Sequence, residues 1–201
     1  MESAALILDL DGTFYPRSNP LTARIDALVA GLFDDYVARH QGGLRELERK
    51  FPCVLDGLVE ANIERDRFYR TVYDRISYDD CLYPDPALRA AFEVLRIPKF
   101  IVSLSPVRHI RRVLQYLAIG DLFDSIVSLE ELSINSKGPV YGDIIRAGNM
   151  PAQSVVVAGD NYEVDLAPAL HLGCRVVQIG DATSPGDVAR VGSIHDLLRM
   201  I

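Results

Sequence analysis

Residues 4–13 read Ala-Ala-Leu-Ile-Leu-Asp-Leu-Asp-Gly-Thr, an apolar run that ends in two acids and a glycine. Ala4–Leu10 has the length and continuous hydrophobicity of a strand buried in a parallel sheet. Asp9 and Asp11 are two residues apart, so both carboxylates can project from the same strand end. That end faces the ligand crevice of a parallel sheet. Because adjacent carboxylates are costly unless a cation neutralises them, the stretch predicts a charged site on an α/β core.

Outward from this stretch, strand-like and helical patterns alternate. Further β-rich runs are Phe100–Ser103, Ser125–Ser128, Ser154–Gly159 and Cys174–Ile179. Helical patterns lie at Val107–Leu117, Val140–Ala147 and Asp165–Leu172. Ser105 and Pro106 are placed as the N-cap and first-turn proline of the first of these helices. The alternation predicts a Rossmann-like parallel sheet with helices on both faces.

The segment between Arg17 and Leu82 contains no β-rich run. Asn19-Pro20 is typical of a helix cap and first-turn proline, and an amphipathic helical face follows it at Leu21, Ile25, Leu28, Leu32 and Tyr36. Shorter helices are predicted at Leu44–Phe51, Val54–Asn62 and Arg67–Ile76. Tyr83–Pro86, with two prolines, is typical of a return linker. We therefore predict a core of residues 1–16 and 83–201 and an inserted helical domain of residues 17–82.

Composition excludes several classes of function. With 28 acidic and 21 basic residues, the net charge is -7. No long basic run is available to displace counterions from a polymeric nucleic acid, although a small anion is compatible with this charge. The N-terminal apolar run is too short for a signal peptide or membrane span, so no membrane partner is expected. The three cysteines are Cys53, Cys81 and Cys174. We expect them to be buried small apolar residues in a reducing, cytoplasmic setting.

Three later motifs can also carry chemistry. Asp160 follows a buried strand, and Asp165 lies about one helical turn further on, an arrangement of hard oxygen ligands that suits Mg²⁺. The alternative is a turn residue followed by a first-turn acid. Ser103 ends a strand near a helix N-terminus, where a hydroxyl can hold a phosphate oxygen. Lys137 precedes a helix, and a solvated surface lysine is its default interpretation.

Taken in order, the acid pair, hydroxyl, lysine and second acid pair resemble the four motifs of the haloacid dehalogenase (HAD) superfamily. The resemblance implies the HAD fold with a C1-type helical cap, and a Mg²⁺-dependent phosphatase. It makes Asp9 the nucleophile and Asp11 the proton donor and acceptor. Ser103 and Lys137 would hold the phosphoryl oxygens. The metal would be held by Asp9, the Asp11 carbonyl and Asp160, with support from Asp165.

Within that superfamily the chain resembles the pyrimidine 5'-nucleotidase group. The resemblance lies in Asp9–Pro16, Leu55–Leu58 and Tyr83–Pro86, and in the position of His109. The sequence departs from the group at three positions. Gly12 and Leu104 stand where the group often has asparagine. Gly138 follows the lysine, where the group usually has proline. The implied substrate is a small phosphomonoester, with a preference for pyrimidine nucleoside monophosphates.

Four other readings stay open at this level. Asp11 argues against dehalogenation, because that reaction needs no proton donor. A phosphonatase would need a lysine from the inserted segment to form a Schiff base, and Lys50 is the only lysine there. A phosphomutase shares both aspartates, and a catalytically silent binding scaffold is the remaining class. We expect a monomer or homodimer. Side chains that could contact a base or sugar are Tyr15, Arg17, Tyr36, Phe51, Phe68, Tyr69, Tyr73 and Arg108.

Overall fold

The computed structural model describes residues 3–38, 49–51, 53–182, 184–186 and 188–201, and its centre is a parallel sheet of six strands. The order across the sheet is β3-β2-β1-β4-β5-β6. The strands are β1 Ala5–Leu8, β2 Lys99–Ser103, β3 Ser125–Ser128, β4 Val155–Gly159, β5 Arg175–Ile179 and β6 Ala189–Val191. The predicted parallel α/β fold is confirmed.

The central strand β1 lies between β2 and β4, and its four residues are fully buried. From β1 the chain builds the sheet outward first on the β2 side and later on the β4 side. Such a reversal of strand order opens a crevice at the carboxyl ends of the strands. Asp9 and Asp160 follow β1 and β4, so the topology places both acids at this crevice.

Helices connect the strands and form the inserted segment. They are α1 Pro20–Val37, α2 Val54–Glu60, α3 Arg65–Tyr73, α4 Pro86–Val94, α5 Val107–Tyr116, α6 Leu129–Leu132, α7 Gly138–Ala147, α8 Ala167–His171 and α9 Ile194–Met200. The Asn19 side chain accepts a hydrogen bond of 2.8 Å from the Leu21 amide, which confirms the predicted cap of α1. No helix among the described residues combines the length and apolarity that crossing a membrane requires.

Some local predictions were wrong. Pro106, with no side-chain cap bond, occupies the N-cap position of α5, while the Ser105 hydroxyl donates to Asp11. The segment predicted as one helix from Asp165 begins with a wider π-helical turn, Tyr162–Leu166, before α8. Such turns insert an extra residue into a helix and often occur at functional sites. The strand β6 and the helices α4 and α9 were not anticipated.

The described residues form two compact units: Met1–Arg17 with Leu82–Ile201, and Ser18–Cys81. Within the second unit, α1 packs against α3, and its buried apolar residues include Leu21, Phe33, Phe68 and Val72. The predicted helix Leu44–Phe51 lies largely outside the described residues. The interpretation of the second unit as a cap domain stays a prediction.

Apolar packing holds the first unit together. On one face of the sheet, alternate residues of the central strands join side chains from α7 and α8 in a single buried cluster, which includes Ile7, Val102, Tyr141, Val157 and Ala169. The cysteines Cys53, Cys81 and Cys174 are buried free thiols, as predicted.

Candidate active site

A buried lysine joins two of the predicted site acids. Lys137, at the N-cap of α7, is only 1% exposed. Its ammonium lies 2.5 Å from Asp9 Oδ1 and 2.7 Å from Asp165 Oδ1. The surface-lysine interpretation is therefore wrong, and the residue is an internal counter-ion. A buried ammonium is stable only with such partners.

Three carboxylates converge beside that lysine. Asp9, Asp160 and Asp165 are buried, and one oxygen of each lies within 4.8 Å of the others. The second oxygen of Asp165 accepts a 2.9 Å hydrogen bond from the Asn161 amide, which fixes its orientation. Asp160 pairs with Arg17, whose side chain is 65% exposed. The described residues thus bring together every acid of the predicted metal site except the Asp11 side chain.

Two glycines make room for these carboxylates. A Cβ at Gly12 would overlap the carboxylate of Asp160, and a Cβ at Gly159 would overlap that of Asp165. Gly12 also has a φ of +79°, a left-handed conformation that favours glycine. The turn after β1 and the end of β4 can therefore approach the acids only because these positions carry no side chain.

Charge crowding perturbs this cluster. Burial raises the pKa of Asp9 well above its ordinary value, and Asp165, Asp160 and Asp11 raise it further against the lowering effect of Lys137. Burial also raises the pKa of Asp160, although Arg17 opposes the shift. For Lys137, burial alone would lower the pKa, but the carboxylates of Asp165 and Asp9 raise it well above its ordinary value. Three carboxyl groups thus surround a single buried ammonium in this cluster.

Asp11 has different surroundings, although it is only two residues from Asp9. Its Oδ1 lies 2.8 Å from His109 Nε2 and accepts a hydrogen bond from the Tyr15 hydroxyl. Its Oδ2 accepts from the Ser105 hydroxyl. Burial alone would raise the pKa of Asp11, but His109, Ser105 and Tyr15 together lower it to about 2.

Ser103 is buried at the end of β2, next to this second group of residues. Its hydroxyl accepts a 3.1 Å hydrogen bond from the Ser105 amide. The Ser105 carbonyl in turn accepts a 2.8 Å hydrogen bond from the hydroxyl of Ser128 on β3. The loop after β2 is thus fixed at both ends, although the predicted role of Ser103 in holding phosphate stays a prediction.

Sequence reasoning missed several of these contacts. Tyr15 stands four residues after Asp11, and this spacing was the one local signal for its hydrogen bond. Ser105 was assigned to a helix cap instead. Arg17 and Arg108, considered as contacts to a sugar or base, here pair with Asp160 and with Glu130, the latter at 3.1 Å.

Comparison with known proteins agrees with this architecture. The model of the haloacid dehalogenase-like hydrolase family matches residues 4–173. The chain therefore belongs to the haloacid dehalogenase-like hydrolase family.

Solved structures with the same fold include proteins described with different reactions. One is a β-phosphoglucomutase from Clostridium difficile, with a TM-score of 0.65, 17% identity, and coverage of 97% of this chain and 93% of that chain. A HAD phosphatase from Thermococcus onnurineus has a TM-score of 0.58, 16% identity, and coverage of 100% and 97%. A 2-haloacid dehalogenase from Pseudomonas syringae pv. tomato DC3000 has a TM-score of 0.57, 15% identity, and coverage of 99% and 97%. At these identities the likeness establishes the fold alone, and the reaction has to be argued from the site.

Proposed function

We propose that this protein is a Mg²⁺-dependent phosphomonoester hydrolase that acts through an aspartyl-phosphate intermediate on a small phosphorylated metabolite. One observation carries the proposal. Two aspartates leave the same strand end, yet Asp9 lies among carboxylates and a buried lysine while Asp11 lies among hydroxyls and an imidazole. Two chemically distinct carboxylates at one site are what a nucleophile and a separate proton-transfer group require.

The surroundings of Asp9 support the role of nucleophile. Lys137 orients its carboxylate through a 2.5 Å contact and provides positive charge where phosphoryl oxygens would gather. Asp9 attacks phosphorus as the bond to the leaving oxygen breaks, which gives a phosphorylated Asp9. Ser103 and Lys137 are proposed to bind the transferring phosphoryl oxygens.

Asp11 suits the second role. The donors around Asp11 favour its carboxylate in the free protein. Asp11 therefore has to take up a proton as the negatively charged phosphate ester binds beside it, because a like charge favours the protonated acid. In the first half-reaction it gives that proton to the leaving oxygen. In the second, the Asp11 carboxylate takes a proton from the water that attacks the phosphorylated Asp9, which restores both residues and releases phosphate. A dehalogenase has no alkoxide to protonate, so a carboxyl group held by three donors beside the nucleophile favours phosphate ester chemistry.

The acidic cluster fits a hard divalent cation. Asp9, Asp160 and Asp165 provide buried carboxylate oxygens within 4.8 Å of one another, and Mg²⁺ prefers oxygen ligands. Burial raises the pKa values of Asp9 and Asp160, and neighbouring carboxylates raise them further against one lysine and one exposed arginine. We assign Asp9, the Asp11 carbonyl and Asp160 as ligands. Asp165, with one oxygen on Lys137 and the other on Asn161, is proposed to support them. A cation bound there would neutralise the charge of these carboxylates and keep Asp9 ionised.

The substrate is proposed on narrower grounds. The resemblance of Asp9–Pro16 and the position of His109 favour a pyrimidine nucleoside monophosphate. A phosphomutase would use the same pair of aspartates, and the fold is shared with a β-phosphoglucomutase. Product analysis distinguishes the two, because a mutase returns a phosphorylated isomer while a phosphatase releases inorganic phosphate.

The test is a release assay for inorganic phosphate with UMP, CMP, AMP, glucose 6-phosphate and phosphoglycolate at one pH and one Mg²⁺ concentration. We expect Mg²⁺-dependent hydrolysis, with the highest kcat/KM for UMP or CMP. A clear preference for glucose 6-phosphate or phosphoglycolate would refute the nucleotide assignment and leave the phosphatase standing. Full activity after exhaustive EDTA treatment would refute the metal site. Calcium should replace magnesium poorly, because it prefers more ligands at longer distances.

A further inference from the structure

His109 is a buried imidazole on an otherwise apolar face of α5. The ring is 0% exposed, and its neighbours on this face, Ile110, Val113 and Leu114, are also buried. A polar ring in such a place is costly unless it forms hydrogen bonds. Its Nε2 lies 2.8 Å from Asp11 Oδ1. Because a carboxylate can only accept, Nε2 carries the proton in this pair.

His109 is one of three groups that hold the same carboxyl group. Tyr15 follows β1, Ser105 lies in the loop after β2, and His109 belongs to α5, so three separate segments converge on Asp11. Two of them bind Oδ1 and the third binds Oδ2. Contacts to both oxygens fix the plane of the carboxyl group as well as its position. The Asp11 side chain nevertheless remains 31% exposed, which leaves part of it open to a reacting molecule.

The three groups can hold the Asp11 carboxyl group in one orientation throughout a reaction. A hydroxyl can donate or accept, so Tyr15 and Ser105 can keep their hydrogen bonds whether Asp11 is a carboxylate or a carboxylic acid. The His109 N–H remains a donor in both states.

We propose that His109, assisted by Tyr15 and Ser105, is a positioning residue that aims Asp11 at the leaving oxygen of the substrate. The inference rests on the proposed phosphatase function. The imidazole touches no reacting atom and acts through Asp11. Its contribution to kcat/KM, which reports the steps up to departure of the leaving group, should depend on how much that group needs a proton. The later attack of water on phosphorylated Asp9 is common to all esters and does not enter this quantity.

The experiment compares His109→Leu and His109→Gln with the wild-type protein on two esters, in the presence of Mg²⁺. Phenyl phosphate has a basic leaving group, whereas 4-nitrophenyl phosphate has one that departs readily without a proton. For His109→Leu we expect kcat/KM on phenyl phosphate to fall roughly 10- to 100-fold, the range found when hydrogen-bond partners that orient metal ligands are removed. The fall on 4-nitrophenyl phosphate should be several-fold smaller. His109→Gln keeps an N–H donor and should return the ratio of the two kcat/KM values towards that of the wild type.

A matched control is available in the second described histidine–aspartate pair. His195 Nε2 lies 2.9 Å from Asp85 Oδ2, away from the crevice acids, so His195→Leu should leave the ratio unchanged. If His109→Leu does not fold, Tyr15→Phe and Ser105→Ala each remove one hydroxyl and should shift the ratio in the same direction. Folding is checked by circular dichroism.

The outcomes separate the two proposals. A wild-type protein that hydrolyses both esters, with an unchanged ratio in every folded variant at these three positions, would refute the positioning role and leave the phosphatase intact. A wild-type protein that hydrolyses neither ester would refute the phosphatase and the positioning role with it. A selective loss on phenyl phosphate that glutamine rescues would support both.

Discussion

Asp9 and Asp11 are separated by one residue, yet they occupy opposite electrostatic environments. Asp9 shares its surroundings with Asp160, Asp165 and the buried ammonium of Lys137, and its pKa is raised. Asp11 is surrounded by hydrogen-bond donors, and its pKa falls to about 2. The strand therefore sends one carboxylate to a crowded cluster of acids around a lysine and the other to a set of three hydrogen-bond partners.

The difference teaches that residue type and spacing do not determine the role of an acid. Burial disfavours the charged form of both residues. For Asp9, other carboxylates add to that cost, whereas for Asp11 three donors reverse it. What distinguishes them is the set of partners that later parts of the chain bring to each one.

The largest expected effect is at Asp9. Asp9→Asn should lower kcat by about 10⁴-fold or more, since an amide is a poor nucleophile and loss of a nucleophile removes most of the rate enhancement. The fold should survive, because Lys137 keeps its 2.7 Å contact with Asp165. The measurement is phosphate release with saturating substrate. Asp143→Asn, at an exposed ion pair, is the control. Residual activity of a few per cent would contradict the nucleophile assignment.

A smaller and more selective effect is expected at Asp11. Asp11→Asn should reduce kcat about 10²–10⁴-fold on an ester with a poor leaving group, the range typical of general acid–base groups. Mg²⁺ affinity, measured by calorimetry, should change little, because the backbone carbonyl that we assign to the metal is retained. Equal activity of the variant and the wild type on such an ester would remove the distinction between the two aspartates.

The third prediction concerns stability. Lys137→Met should lower the free energy of unfolding by about 3–5 kcal/mol, because it leaves two buried carboxylates without their counter-ion. Chemical denaturation in the absence of metal measures the change. Lys50→Met is the matched control: Lys50 pairs with Glu60 at 2.8 Å but is 57% exposed, and a surface pair contributes at most about 1 kcal/mol. Similar losses for both variants would mean that the buried pairs add nothing beyond a surface contact.

The sheet could be predicted from the sequence because each of its main strands is marked by a local apolar run. Continuous apolar runs predicted the five strands that form most of the sheet, each within a residue or two of its observed bounds. The strand β6 was not predicted because Ala189–Val191 is only three residues long and largely exposed, so no apolar run marks it. The helix α4 has only two buried side chains, Leu88 and Phe92. Two apolar positions are too few to reveal the helical repeat of 3.6 residues in the sequence.

For the candidate site, the sequence predicted the residues better than the contacts between them. The acids could be found because each stands at a strand end or a helix start. Their contacts could not be read from local patterns, since Ser105 lies 94 residues from Asp11. Lys137, which only the family resemblance placed in the site, lies 128 residues from Asp9. Such pairs depend on how strands align across the sheet, which no local pattern records. A serine before a proline-started helix has a simple local explanation, and that explanation was wrong.

The inserted unit is closed at its own base. The Asn19 side chain donates to the Cys81 carbonyl at 2.9 Å, and Arg24 donates to the carbonyls of Ser77 and Asp79 at 2.7 and 3.0 Å. The first and last segments of this unit thus lie side by side. Segments whose ends lie close together can be lengthened, shortened or exchanged with little cost to the host. The unit can therefore be exchanged as a module without rerouting the strands that carry the aspartates.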